Sequence, residues 1–489
     1  MAGMTSLNGF RTGQIAFSGH LPDVDADNDA HGVRCALVAS KRPMLSRSAR
    51  TCALLTAVAL LPAIADPLRA QALGCVWGWG EPHTLTTHDG RYGFAQAASA
   101  ATVGNAVLVV GFPSFAWATP DSFDSSPGPR PTDTTAYLDR LRRNTAVLGF
   151  MLGQNGKASP VPRPEPRRMV RPILVNDTVG RAHMVWAERR NSGETEAQTL
   201  WYSQYVDGRW GPATKLFESE RVTWIDQAGT VFALGGDLHI FSPFSQTDSG
   251  PGVAYVRRIN GRWRSSTVRI LGIPLWLTAQ ASGSDSLIVA FSSPDVTARV
   301  SNGSHVYVAR VATESGAWNA PRRVQWSGRS AARKPRLFRI PDGFARRGAL
   351  LLVWAHERRG MPGIDTVLAM RSQDEGVTWS EPQAVALSTY AGEITTEQDD
   401  RGIVHVVAYP STQRTGRSVA FHITWQGAAW SSLDSMDMGS SRPFLPAISR
   451  VGRDSLFLTW GRELPASPGA VNTTAPVTMF RVGAWQCAR

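Results

Sequence analysis

The chain has 489 residues, of which 43% are hydrophobic, and a formal net charge of +12. That hydrophobic content is ordinary for a globular protein, and no apolar stretch is long enough to span a membrane. Only four residues are lysine, so the basic side rests on 47 arginines.

Residues 1–43 are polar, with Asp23, Asp25, Asp27 and Asp29 close together and no apolar periodicity. They read as an N-terminal extension, disordered or translated from an upstream start codon, ahead of a start at Met44. Residues 44–72 have the form of a secretory signal peptide. Arg47 and Arg50 supply a positive region, Ala53 to Ile64 a short apolar run, and Ala70-Gln71-Ala72 a cleavage site. The domain that follows, 73–489, is expected to be secreted or periplasmic. It keeps two cysteines, Cys75 and Cys487, at its opposite ends. In an oxidising compartment they are natural disulfide partners. A competing reading makes Leu73-Gly74-Cys75 a lipoprotein box, against which Asp66 and Arg69 just upstream count.

The rest of the chain repeats. A turn followed by a β-rich apolar strand recurs as GNAVLVVGF, GRAHMVWAE, GDLHIFSPF, SDSLIVAFS, GALLLVWAH, RGIVHVVAY and RDSLFLTWG. After six of these seven comes a second unit: a strand, a turn with Gly, then Trp. Those tryptophans are Trp210, Trp263, Trp318, Trp379, Trp430 and Trp485. The first copy instead continues as VLGFMLGQNGKASP. Asp207-Gly208 and Asn260-Gly261 are hairpin-turn pairs. Short strands, no long helical period and a repeat of roughly 50–60 residues predict a seven-bladed β-propeller of four-stranded blades, with six blades as the alternative. Every internal Trp precedes another strand, but Trp485 is followed only by Gln-Cys-Ala-Arg. The orphan strand is WGWGEPHTL at 77–85, so the N-terminal strand is expected to complete the last blade and bring Cys75 beside Cys487. An insertion at about 115–145, rich in Pro, Ser and Asp, interrupts the first blade. It reads as a solvated loop or a lid, with a short helix over 137–143.

In the fifth repeat Ser372, Asp374, Gly376, Thr378 and Trp379 spell S-x-D-x-G-x-T-W. Asp accepts backbone N–H bonds in a tight turn and Gly takes a positive φ there. The pattern resembles the Asp-box, or BNR repeat, of the sialidase superfamily. In that family the box is a structural turn away from the catalytic centre. Residues 335–382 resemble a sialidase first blade more widely, through Phe338-Arg339-Ile340-Pro341 and the Glu357-Arg358 pair. The resemblance implies that Arg339 grips a substrate carboxylate, completed by Arg171 and Arg442 near the starts of other innermost strands. It implies a Tyr nucleophile activated by Glu, for which Tyr390 with Glu393 and Tyr409 with Glu397 are candidates. Asp365 is the available acid. An alternative alignment sets Pro335 against Pro172 and leaves Arg339 without that role.

No H-E-x-x-H or Cys/His cluster is present, so neither metal nor cofactor is expected. His183, His239 and His405 hold equivalent strand positions, which repeat symmetry explains. Nucleic acid does not suit an exported chain without a nucleic-acid module. Three functions stay open at this point: a monomeric, non-catalytic propeller binding an acidic glycan on its central face, an exo-sialidase-type glycoside hydrolase, and a protein-interaction scaffold.

Overall fold

Short apolar runs closed by turn residues build strands, and every helix or strand element among the described residues is a β-strand. The computed structural model describes residues 75–87, 94–113, 148–153, 157–162, 164, 169–189, 198–219, 229–234, 236–246, 250–270, 272, 274–294, 304–324, 331–341, 348–357, 364–410, 419–427, 429–438, 443–452, 454–463 and 476–486. These lie in one unit, residues 61–489. The expected extension, signal peptide and insertion with its short helix lie outside the described residues.

The strands form seven four-stranded blades of a β-propeller, which decides against six. Blade I holds Phe94–Val103, Ala106–Pro113, Leu148–Leu152 and Lys157–Val161. Blade II holds Met169–Asn176, Ala182–Arg189, Gln198–Val206 and Thr214–Ser219. Blade III holds Thr230–Leu234, Asp237–Gln246, Gly250–Ile259 and Arg262–Arg269. Blade IV holds Leu275–Ser282, Ser286–Pro294, Ser304–Ala312 and Arg322–Arg323. Blades V and VI share one seven-stranded sheet, because Gln383–Gln398 is both the outer strand of V and the inner strand of VI. The other strands of V are Ala331–Ile340, Ala349–Glu357 and Ile364–Ser372, and those of VI are Val404–Pro410, Val419–Trp425 and Asp434–Asp437. Blade VII holds Pro443–Arg450, Ser455–Glu463, Pro476–Gln486 and, from the N-terminal side, Val76–Trp79.

That last pairing runs Val76 against Gln486, Trp77 against Trp485 and Trp79 against Gly483. The expected closure is therefore present, and it covers an edge that would otherwise template aggregation. Cys75, one residue before this strand, is buried and disulfide-bonded. Cys487 lies outside the described residues.

The inner strand of each blade touches the next, and the seventh touches the first, so the ring closes around a channel. Side chains stitch these strands where backbone pairing is missing. Leu174 N–H donates to Ser99 Oγ (3.0 Å), Thr102 N–H to Asn176 Oδ1 (2.9 Å), Leu337 N–H to Thr278 Oγ1 (3.2 Å) and Ala100 N–H to Ser449 Oγ (3.2 Å). Partner numbers rise together along each pair of strands, so the inner strands run parallel. Between blades the faces bury large side chains, among them Trp186, Trp354 and Trp460 from second strands. Each such side chain contributes roughly 1.5–3 kcal/mol or more by leaving water.

Repeat geometry also explains the histidines. His183 Nδ1 meets Tyr202 OH at 2.9 Å, His239 Nδ1 meets Tyr255 OH at 2.6 Å, and His405 Nδ1 meets His422 Nε2 at 3.0 Å. The partner always lies two residues before the cross-strand neighbour. Two histidines also contact the preceding turn, His183 Nε2 to Asp177 Oδ2 (3.1 Å) and His405 Nε2 to Asp399 Oδ2 (3.4 Å). Trp77 of the closing strand packs on the His405 ring at 4.1 Å. All three are buried, and their Nδ1 bonds tie second to third strands within one blade; of these contacts only that of Trp77 with His405 crosses between blades.

Two measurements test this architecture. Removing residues 1–88 should leave Pro476–Gln486 as an open edge, giving a lower thermal midpoint and larger species by size-exclusion chromatography. An equally stable monomer would contradict closure by Val76–Trp79. The second test is acid stability. Burial pushes His422 down to about 3 and His239 down to about 4. Unfolded histidine titrates near 6.5, so between about 6.5 and 3 the unfolded chain binds more protons and stability falls as pH falls. The urea midpoint should therefore drop from pH 7 to pH 4, and His422→Gln should flatten the drop. An unchanged slope in that variant would remove His422 as its source.

Candidate functional site

The channel is lined by inner strands, and their regularity is broken at one level. In blade V, Arg333 pairs with Ala355 and Arg336 with Val353, so Lys334 and Pro335 bulge against a single residue. Blade IV bulges at Trp276 and Leu277, blade II at Arg171 and Pro172, and blade VII at Leu445 and Pro446. Register thus sets Lys334-Pro335 against Arg171-Pro172, the alternative alignment. Proline cannot donate to a ladder, so placing it in a bulge avoids an orphaned bond. Bulges near sites re-aim side chains.

Below the bulge, Arg336 is the one exposed residue of its strand. Yet the surrounding protein pulls its guanidinium below the usual range, with Glu397 opposing that pull. Arg336 is thus an exposed cation on a channel-lining strand with a carboxylate, Glu397, nearby. Glu397, on the inner strand of blade VI, is pushed above the usual carboxylate range by burial, with the Gln398 N–H, Arg336 and Arg450 countering. Above them, Lys334 Nζ pairs with Glu393 across blades V and VI, and Arg333 Nε pairs with Glu357 at 2.6 Å. This end of blades V and VI therefore offers cations and carboxylates side by side. Such pairs donate and accept hydrogen bonds at once and suit a hydroxyl-rich ligand.

Arg339 stands elsewhere. It is the penultimate residue of its strand, at the end where blade V makes its tight turns. Its guanidinium forks onto Glu375, Nη1 to Oε1 at 3.1 Å and Nη2 to Oε2 at 2.7 Å, and also donates to Ala281 O of blade IV. Burial alone would raise the Glu375 carboxyl, but Arg339 bonding holds it below the ordinary range. Asn176 and Gln398 make the same reach from the ends of their inner strands, to Thr102 O (2.6 Å) and Arg339 O (2.7 Å). Arg339 is thus bonded as an interblade clamp.

Glu375 belongs to the predicted Asp-box turn. Gly376 N–H donates to Ser372 Oγ (2.7 Å) and Thr378 N–H to Asp374 Oδ1 (2.8 Å). Ser372 Oγ donates to Asp374 Oδ1 (2.8 Å) and Thr378 Oγ1 to Asp374 Oδ2 (2.5 Å). Gly376 has φ 81°, and Trp379 packs against the core of blades IV and V. The turn is self-satisfied and lies at the opposite end of the blade from Lys334 and Glu393.

The remaining candidates do not assemble into a catalytic group among the described residues. Arg171 lies in Met169–Asn176, Tyr390 in Gln383–Gln398 and Asp365 in Ile364–Ser372, with side chains outside the description. Arg442 lies outside the described residues. Glu393 meets Lys334. Tyr409 is fully buried, and burial pushes its phenol well up, with Arg481 opposing. Among the described residues no group of three His, Cys, Asp or Glu is placed to hold a metal ion. Sequence reading passed over Trp276, Lys334 and Arg336. The repeated basic-Pro dipeptide recurs at the bulge, but only register shows that a bulge is there.

No protein-family model matches the chain, and no curated protein matches it. Solved structures are similar at low identity. A protein of unknown function from Dyadobacter fermentans is 10% identical, over 84% of this chain and 99% of that one, with TM-score 0.47. An alpha-L-arabinofuranosidase from Fusarium graminearum is 12% identical, over 65% and 95%, with TM-score 0.43. An ulvan lyase is 10% identical, over 82% and 93%, with TM-score 0.45. Likeness at this level does not choose among activities.

Proposed function

We propose that the protein is an exported propeller that binds an acidic glycan at the channel face of blades V and VI without cleaving it. The observation that carries this reading is Arg336, the one exposed residue on a strand that lines the channel. A guanidinium offers a carboxylate two parallel hydrogen bonds, and partial desolvation strengthens them. The Lys334–Glu393 and Arg333–Glu357 pairs beside it supply donors and acceptors for hydroxyls. Export agrees with a disulfide at Cys75, whose partner we infer to be Cys487, since Val76 already pairs with Gln486.

One observation favours a hydrolase as the second reading: Glu397, on a channel-lining strand near Arg336, is pushed above the usual carboxylate range by burial, as a general acid requires. In the sialidase-type version Arg339, Arg171 and Arg442 would grip the carboxylate and Tyr390 with Glu393 would supply the nucleophile. The fork of Arg339 onto Glu375 and the pairing of Glu393 with Lys334 support binding instead.

Calorimetric titration with acidic oligosaccharides decides between Arg336 and Arg339. Arg336→Ala should weaken binding by about tenfold or more, the worth of a charged hydrogen bond, with stability little changed. Arg339→Ala should leave affinity unchanged and cost about 1–3 kcal/mol of stability by stranding Glu375. The opposite pattern would return the carboxylate grip to Arg339. Turnover of a fluorogenic aryl sialoside by the wild type would replace the binding reading with the hydrolase.

A further inference from the structure

Backbone strain singles out two residues. Among the described residues five that are not glycine have positive φ: Asp207, Asn260, Trp276, Lys334 and Glu375. Asp207, Asn260 and Glu375 sit in the tight turns between third and fourth strands, where such a conformation is routine. Trp276 (φ 52°) and Lys334 (φ 51°) instead lie inside inner strands, at the shared bulge of blades IV and V. A bulky aromatic there is a genuine outlier, and such strain persists where the surroundings impose it for a use.

The two residues stand at one level of neighbouring strands. Leu337 N–H reaches Thr278 Oγ1, and the strands run parallel from there. Trp276 is two residues above Thr278, and Lys334 three above Leu337. Trp276 is half-buried but belongs to none of the core clusters. No other ring or guanidinium among the described residues stacks on it. The fold thus holds an indole in a costly conformation outside every core cluster of the described residues.

We propose that Trp276 is a stacking platform for a carboxylated pyranose, a glycuronan residue, whose hydroxyls meet the Lys334–Glu393 pair and whose carboxylate meets Arg336. The proposal rests on the reading of the central face as a glycan site and names its ligand class. An indole face covers the C–H face of one sugar ring. Glu393 and Glu357 beside the cations accept hydroxyl protons and repel a dense polyanion, so the mixture fits a sugar with one charge better than a polyphosphate.

The decisive variant is Trp276→Gly in the full chain, because glycine takes the positive φ without strain. The probe is oligogalacturonate, followed by titration calorimetry, with inorganic polyphosphate and a neutral galacto-oligosaccharide as comparisons. We expect the wild type to prefer oligogalacturonate. Trp276→Gly should weaken it about tenfold or more, as loss of a central aromatic contact does, while the thermal midpoint holds or rises. Trp276→Phe should stay within about threefold, since it keeps a ring. Equal affinity in Trp276→Gly would overturn the platform and leave the glycan reading standing. So would lost affinity accompanied by a lowered midpoint in Trp276→Gly together with unchanged affinity in Trp276→Ala. No saccharide binding by the wild type would overturn both. Tighter binding of polyphosphate than of oligogalacturonate would overturn the pyranose assignment.

Discussion

The pairing of Val76–Trp79 with Pro476–Gln486 is the contact on which the ring depends. A four-stranded blade cannot stand alone, since it has two apolar faces and two open edges. Stacking blades side by side buries the faces, and only closure buries the last pair. Here closure joins segments about 400 residues apart in the chain, so it carries a large loop-closure entropy. The aromatic density at the seam answers that cost. Trp77 packs on His405 and edge-on against Trp485, and Trp79 edge-on against His422. Trp485 Nε1 donates to Asp399 Oδ2 at 2.8 Å, linking blade VII to blade VI.

The fold was legible because it is written several times over. Seven apolar second strands and six tryptophans at similar spacing give independent votes for one unit, so an error at one copy does not move the count. Turn chemistry was legible for the same local reason: Asp207-Gly208 and Asn260-Gly261 adopt positive φ throughout, as the dipeptides demand. Even the orphan strand could be found, because a repeat with a missing piece points to where that piece must come from.

The site was much less legible, and Arg339 shows why. Phe338-Arg339-Ile340-Pro341 matches a motif letter by letter, but a motif carries function only when its register puts the side chain in the same place. Here the bulge at Lys334-Pro335 is the reference point, as its twin at Arg171-Pro172 shows. Counted from that point, Arg339 falls at the turn end, where Asn176 also reaches across to its neighbour. Three residues earlier, Arg336 is the exposed residue of the strand, with nothing in its local sequence to mark it. Trp276 is harder still, because a positive φ on tryptophan contradicts every local preference and so leaves no trace in composition or periodicity.

Charge distribution in the channel follows from the same geometry. An Arg-rich chain could have lined its axis with cations alone, and the inner strands would then repel one another across a narrow gap. Instead three cations near the bulge of blade V each have a carboxylate within reach: Arg333 has Glu357, Lys334 has Glu393, and Arg336 has Glu397 near it. The first two are close ion pairs. In the third, burial disfavours the charge on Glu397, while Arg336 beside it stays a cation. On the proposed reading, a ligand carboxylate at Arg336 would meet a weaker competitor than the fork that Glu375 makes with Arg339. Arg336 thus stands beside a carboxylate whose charge burial disfavours, whereas Arg339 is bonded into the contact between blades IV and V.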